Sequence, residues 1–99
     1  MNSVTTINTS HHVLDRQFFL TKIQQEIESF EKELYDNIDE LACIKQKVKD
    51  MKPECRNKSN PDYLECWKRR SKLNHRNATV HNILMRLHEE YNKYQKIEI

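Results

Sequence analysis

The chain has 99 residues, 32% of them charged and 36% hydrophobic, with a formal net charge of +2, no glycine and two prolines. This allows one domain at most, and so few apolar side chains can form a core only if they are gathered into stripes. The missing glycines exclude phosphate-cradling loops, and no apolar run is long enough to span a bilayer or serve as a signal peptide.

Residues Met1 to about His12 are polar, rich in Ser, Thr and Asn, and offer little surface to bury against the cost of ordering. A disordered polar tail is expected over 1–12. From Val13 the pattern changes: Val13, Leu20, Ile27, Leu34, Leu41 and Val48 recur every seven residues, with Ile23, Phe30, Ile44 and Met51 between them in a 3-4 repeat. This is a heptad seam, interrupted only by Arg16 and Asn37, and it predicts a helix over 13–52.

Pro53 ends that helix, because the residue before a proline is pushed out of the helical region and the proline donates no hydrogen bond. Residues 53–60 form a loop. Asn60 is a good N-cap, Pro61 suits the first helical position and Asp62 complements the dipole, so a second helix is predicted over 61–98. Its seam is Cys66, Leu73, Val80, Leu87 and Tyr94, interleaved with Tyr63, Leu84 and Tyr91 and interrupted by Arg70, Asn77 and Glu98.

The fold class is therefore all-α: two long helices forming an antiparallel helical hairpin or coiled coil over 13–98, with no sheet. The halves suit this, since residues 1–50 carry six basic and nine acidic side chains and residues 51–99 carry eleven basic and six acidic. When facing residue numbers sum to 114, Val48 meets Cys66, Leu41 meets Leu73, Leu34 meets Val80, Ile27 meets Leu87 and Leu20 meets Tyr94. Met51, Phe30 and Ile23 then face Tyr63, Leu84 and Tyr91, Arg16 faces Glu98, and Ile44 opposite Arg70 is a mismatch. Asn37 faces Asn77, a register-setting pair, because any slip would leave an amide unpaired in the seam. On the flanks Glu40 is expected near Arg76, with Lys47 near Arg69 and Glu26 near Glu90 as unfavourable pairs.

Partner binding is expected on the second helix at Leu84, Leu87, Tyr91 and Tyr94, where apolar density is highest, with Ile83 and Ile97 widening the stripe. Tyr35, Ile38 and Ala42 form a short second stripe on the first helix. They are either ordinary seam neighbours or a docking face for a third or fourth helix.

No catalytic constellation, nucleotide motif, cofactor or metal site is expected. Cys43, Cys55 and Cys66 form no C-x-x-C pair, a site from Cys55, Cys66 and His75 fits no common zinc finger, and His81 and His88 lie too far apart to share a metal. Asn77-Ala78-Thr79 matches a glycosylation acceptor but sits on a helix in a chain expected to be cytosolic. Asn2 stands where myristoylation needs glycine, and the C-terminus is no prenylation box. The basic stretch 68–76 has the composition of a nucleic-acid patch, but helical geometry spreads its charges and Trp67 stands alone as a stacking group.

Glu90-Tyr91 followed by Lys96-Ile97-Glu98 resembles the C-terminal coiled-coil motif of the twenty-kilodalton subunit family of intraflagellar transport complex B. Ile38-Asp39-Glu40-Leu41-Ala42, Arg56-Asn57 and Leu84 fall where similar residues lie in that family, without a gap from Ala42 to Glu98. Phe19 with Lys22-Ile23 is similar after a one-residue shift. The resemblance implies a non-catalytic subunit that pairs with another coiled-coil protein and links Golgi-derived traffic to assembly of the cilium or flagellum, including in spermatogenesis. It implies a place in the cytoplasm, at the Golgi, basal body or cilium. The chain departs from the family in being shorter and in carrying Pro53 and Pro61, which put an uninterrupted helix in doubt. Two other readings are a regulator of membrane traffic, since the Phe18-Phe19 start is similar to the regulatory bundle of syntaxins, and a nucleic-acid accessory protein using the basic stretch 68–76.

Overall fold

A computed structural model describes residues 2–96, with side chains described from Asp15 onward. Helix α1 is Asn2–Asp50, a 3-10 turn follows at Pro53–Cys55, and helix α2 is Pro61–Gln95. The polar stretch 1–12 and Val13 precede the residues whose side chains are described, so the described seam begins at Arg16. The two helices lie antiparallel as a rod of 80 × 17 × 16 Å, an all-α hairpin in which no strand occurs among the described residues.

The break between the helices follows from local chemistry. Lys52 is extended, at φ −61° and ψ 144°, as the residue before a proline should be. The carbonyls left open at the end of α1 are then taken by a side chain from the loop: Arg56 donates through Nε to Met51 O at 3.1 Å and through Nη2 to Lys49 O at 2.9 Å. Asn57 donates to Glu54 O at 2.8 Å and accepts from Ser59 N–H at 2.9 Å, which tightens the turn. Asn60 donates to Cys55 O at 2.9 Å, while its own side-chain oxygen accepts from Asp62 N–H at 3.1 Å and caps α2.

Packing follows the sum-of-114 register. One cluster of buried residues contains Ile23, Ile27, Val80, Leu84 and Leu87, with Phe30, Leu34, Ile83, Tyr91 and Tyr94 packed against it. A second contains Ile44, Cys66 and Leu73, with Leu41, Val48 and Met51 around it. The Asn37 and Asn77 layer lies between the two. Val80 is fully buried at 0% exposure, and at about 25 cal/mol per Å² of apolar surface these two clusters supply the main favourable term holding the helices together.

Ile44 is buried although it faces Arg70. The mismatch is resolved because Arg70 is exposed, its long side chain reaching water instead of filling the layer. A groove of about 320 Å³, lined by Leu41, Ile44, Lys45, Val48, Arg70 and Asn74, is left in the side of the hairpin.

Candidate interaction surfaces

The register-setting layer is a direct bond: Asn37 Nδ2 donates to Asn77 Oδ1 at 3.0 Å in a half-buried setting. Asn37 also helps, as a minor contributor, to hold the Glu33 carboxylate in its charged form. Glu33 lies one turn of α1 before Asn37, on one flank of the hairpin.

That flank carries two fork-shaped ion pairs. Arg76 donates to Glu33 through Nε at 2.6 Å and Nη2 at 2.9 Å. Arg69 grips Glu40 in the same way, with Nη2 to Oε1 at 3.0 Å. The arginine hydrogen bonds hold both glutamates below the usual carboxylate range, and the glutamates raise both arginines. The expected proximity of Glu40 to Arg76, and of Lys47 to Arg69, is therefore displaced by one heptad. Two glutamates a heptad apart face two arginines a heptad apart; the expected offset would make one favourable pair and one like-charged pair, whereas the observed offset makes two favourable ones.

Arg16, expected opposite Glu98, donates through Nη2 to Gln95 O at 2.9 Å, so it closes the carboxyl end of α2. Glu98 and Ile97 lie outside the described residues. Among the remaining residues expected to bind a partner, Leu84 and Leu87 are only 7% and 8% exposed and are covered by α1. Ile83, Tyr91 and Tyr94 are half-buried around that cluster.

The open end holds a feature that heptad counting missed. Phe19 stacks on Tyr94 with ring centroids 5.8 Å apart and planes 10° from parallel, and Phe18 meets Phe19 edge-on at 6.0 Å. Lys22 Nζ sits 5.3 Å from the Phe18 ring centre. Both phenylalanines remain substantially exposed, at 57% and 46%. Their adjacency in the sequence was the available signal, since two neighbouring phenylalanines on a helix cannot both face one seam.

The basic stretch is less available than its composition implies. Arg69 and Arg76 are bound to Glu40 and Glu33, and Lys58 Nζ lies over the Trp67 ring at 3.9 Å, occupying a face that a base would need. Lys68, Arg70 and Lys72 are exposed. Cys43, Cys55 and Cys66 are free thiols, and no cluster of three or more potential metal ligands occurs among the described residues. No helix is long and apolar enough to cross a membrane among these residues.

The fold and these surfaces define a two-helix antiparallel coiled-coil hairpin with uncovered apolar side chains. No protein-family model matches the chain, and no curated protein or solved structure matches it either.

Proposed function

We propose that this protein is a non-catalytic coiled-coil adaptor subunit that holds a second coiled-coil chain at the open end of its hairpin. The observation that supports it is the exposure of Phe18 and Phe19 beside the half-buried Tyr91 and Tyr94. Burying one such ring is worth about 1.5–3 kcal/mol, which intramolecular packing here leaves largely unused. The tyrosines add large contact area with polar tips, a combination suited to an interface edge.

The likeness of Glu90-Tyr91, Lys96-Ile97-Glu98 and Ile38 to Ala42 to the intraflagellar transport subunit supports a coiled-coil member of complex B as the partner, and hence a role in traffic toward the cilium or flagellum. Affinity purification from ciliated or sperm-forming cells tests this directly. The wild-type chain should bring down complex B subunits, and Phe18→Ser with Phe19→Ser should lose them. Absence of those subunits with the wild type would remove the assignment, and their retention by the double variant would move the contact away from the open end. Binding to a nucleic-acid duplex that weakens steeply with salt would favour the nucleic-acid reading instead, because each neutralised phosphate releases counterions.

A further inference from the structure

The two flanks of the hairpin differ in a way that the seam does not require. One flank holds the Glu33–Arg76 and Glu40–Arg69 ion pairs and is densely charged along both helices. The opposite flank, which in an antiparallel pair is formed by the positions following the seam on each helix, is nearly free of charge on α2. It runs through Leu64, Trp67, Asn74, Ala78, His81 and Met85, and no Lys, Arg, Asp or Glu stands at its heptad positions from Leu64 to Gln95, in a chain that is 32% charged. On α1 the same flank carries Tyr35, Ile38 and Ala42. Tyr35, Ile38 and Met85 are 63%, 48% and 52% exposed, so three of the most exposed large apolar side chains share one side of the rod.

The charges bordering that stripe on α1 are ordered. Glu28 and Glu31 precede it, and Lys45 and Lys49 follow it. The order is self-complementary about Ile38: a copy turned end for end across a two-fold axis at Ile38 places Glu31 against Lys45, and brings Glu28 to within one residue of facing Lys49 and Tyr35 to within one residue of facing Ala42, each twice. On α2 the same axis passes near Ala78, where a small side chain permits close approach. Shape agrees with charge. The groove lined by Leu41, Ile44, Lys45, Val48, Arg70 and Asn74 opens on this flank, and helical side chains lean toward their own N-terminus, so Tyr35 of the second copy would lean into it.

We infer that this flank is the interface with a second copy of the same chain, and that the protein forms a two-fold antiparallel dimer of hairpins centred on Ile38, a four-helix bundle. The occupant is a second copy because the acidic, apolar and basic segments of the flank complement themselves; an unrelated helix would have to reproduce that pattern by coincidence. Size is also sufficient. From Gln24 to Asp50, α1 rises about 39 Å at 1.5 Å per residue, and with the 17 Å width of the rod the footprint is roughly 660 Å², approaching the roughly 800 Å² that each partner gives to a standard interface. This surface is separate from the open-end aromatics, so the inference stands or falls independently of the adaptor reading.

Analytical ultracentrifugation of the full chain tests it. The wild type should sediment as a dimer at about 100 µM, a concentration where even micromolar affinity populates the complex. Ile38→Glu places two like charges at the axis and should give a monomer with an unchanged helical circular-dichroism spectrum, since Ile38 is already half exposed. The charge order gives the sharper test: Glu28→Lys with Glu31→Lys should be monomeric, Lys45→Glu with Lys49→Glu should be monomeric, and an equimolar mixture of the two should recover a heterodimer at least tenfold tighter than either alone. A monomeric wild type, a dimer that survives Ile38→Glu, or a mixture that fails to associate would each overturn the interface.

Discussion

Asn37 and Asn77, forty residues apart in sequence, share a hydrogen bond of 3.0 Å that separates the hairpin core into two apolar clusters. An amide pair at this layer costs burial energy that two leucines would gain, yet it penalises any register that leaves one amide facing carbon. Asn37→Leu combined with Asn77→Leu should therefore raise the melting temperature while broadening the distribution of associated species. Asn77→Leu alone should destabilise by about 1 kcal/mol, the lower end of the cost of an unsatisfied buried amide, because water reaches this half-buried layer. Thermal melts and sedimentation profiles check both. A double variant that melted lower and stayed a single species would contradict the register role.

The pairing of Val48 with Cys66 lends itself to a covalent test. Cys66 is buried and Val48 packs against its cluster, and facing seam positions bring side chains near disulfide reach. Val48→Cys should form an intrachain bond with Cys66 under mild oxidation, detected as a faster-migrating monomer on non-reducing electrophoresis. Predominant crosslinking between chains would instead indicate extended helices.

Much of this fold was legible because a 3-4 apolar repeat admits few antiparallel registers, and Asn37 and Asn77 fall together in only one of them. The flank was not legible to the same degree. Glu33 and Glu40 repeat at the same interval as Arg69 and Arg76, so periodicity alone leaves their offset open by one heptad, and only the sum of favourable and like-charged contacts selects it. The role of Arg56 was also hidden: a loop arginine reads as solvated charge until the open carbonyls of Lys49 and Met51 are in place around it. For the proposed binding surface, the repeat identified Leu84 and Leu87 as apolar anchors, but it could not distinguish residues covered by α1 from those left exposed.

Acid should loosen the hairpin through its flank. Glu33 and Glu40 are held below the usual carboxylate range by Arg76 and Arg69, so as pH falls the unfolded chain takes up these protons first. The stabilisation is complete above the unfolded glutamate value of about 4.3 and is lost as pH falls through the lower folded values. The melting temperature should therefore drop between about pH 5 and pH 3, and Glu33→Gln with Glu40→Gln should flatten that slope while costing little at pH 7, since both pairs are solvent-exposed. An unchanged slope in the double variant would show that other groups govern the acid response.

Arg56→Ala should free the end of α1 without opening the core. Its guanidinium satisfies the Met51 and Lys49 carbonyls, and losing exposed charge-assisted bonds of this kind is worth about 1 kcal/mol. Hydrogen exchange should accelerate at the loop amides and the last turn of α1, while the amides around Val80 keep their protection. Uniform acceleration along both helices would mean that the cap is coupled to the whole hairpin.

The final prediction separates folding from partner binding at the open end. Leu84 is buried against Ile23, Ile27 and Val80, so Leu84→Arg drives a charge into carbon and should cost several kcal/mol, collapsing the thermal transition. Any loss of a partner in that variant would report unfolding. Phe18→Ser with Phe19→Ser removes exposed rings instead; the stack of Phe19 on Tyr94 contributes about 0.5–1.5 kcal/mol beyond area burial, so the transition should shift modestly and helicity persist while the coiled-coil partner is lost. Lys68→Glu, on the exposed basic stretch, should leave both properties unchanged. If Lys68→Glu released the partner and the serine variant retained it, binding would have to be reassigned from the open-end aromatics to the basic face of α2.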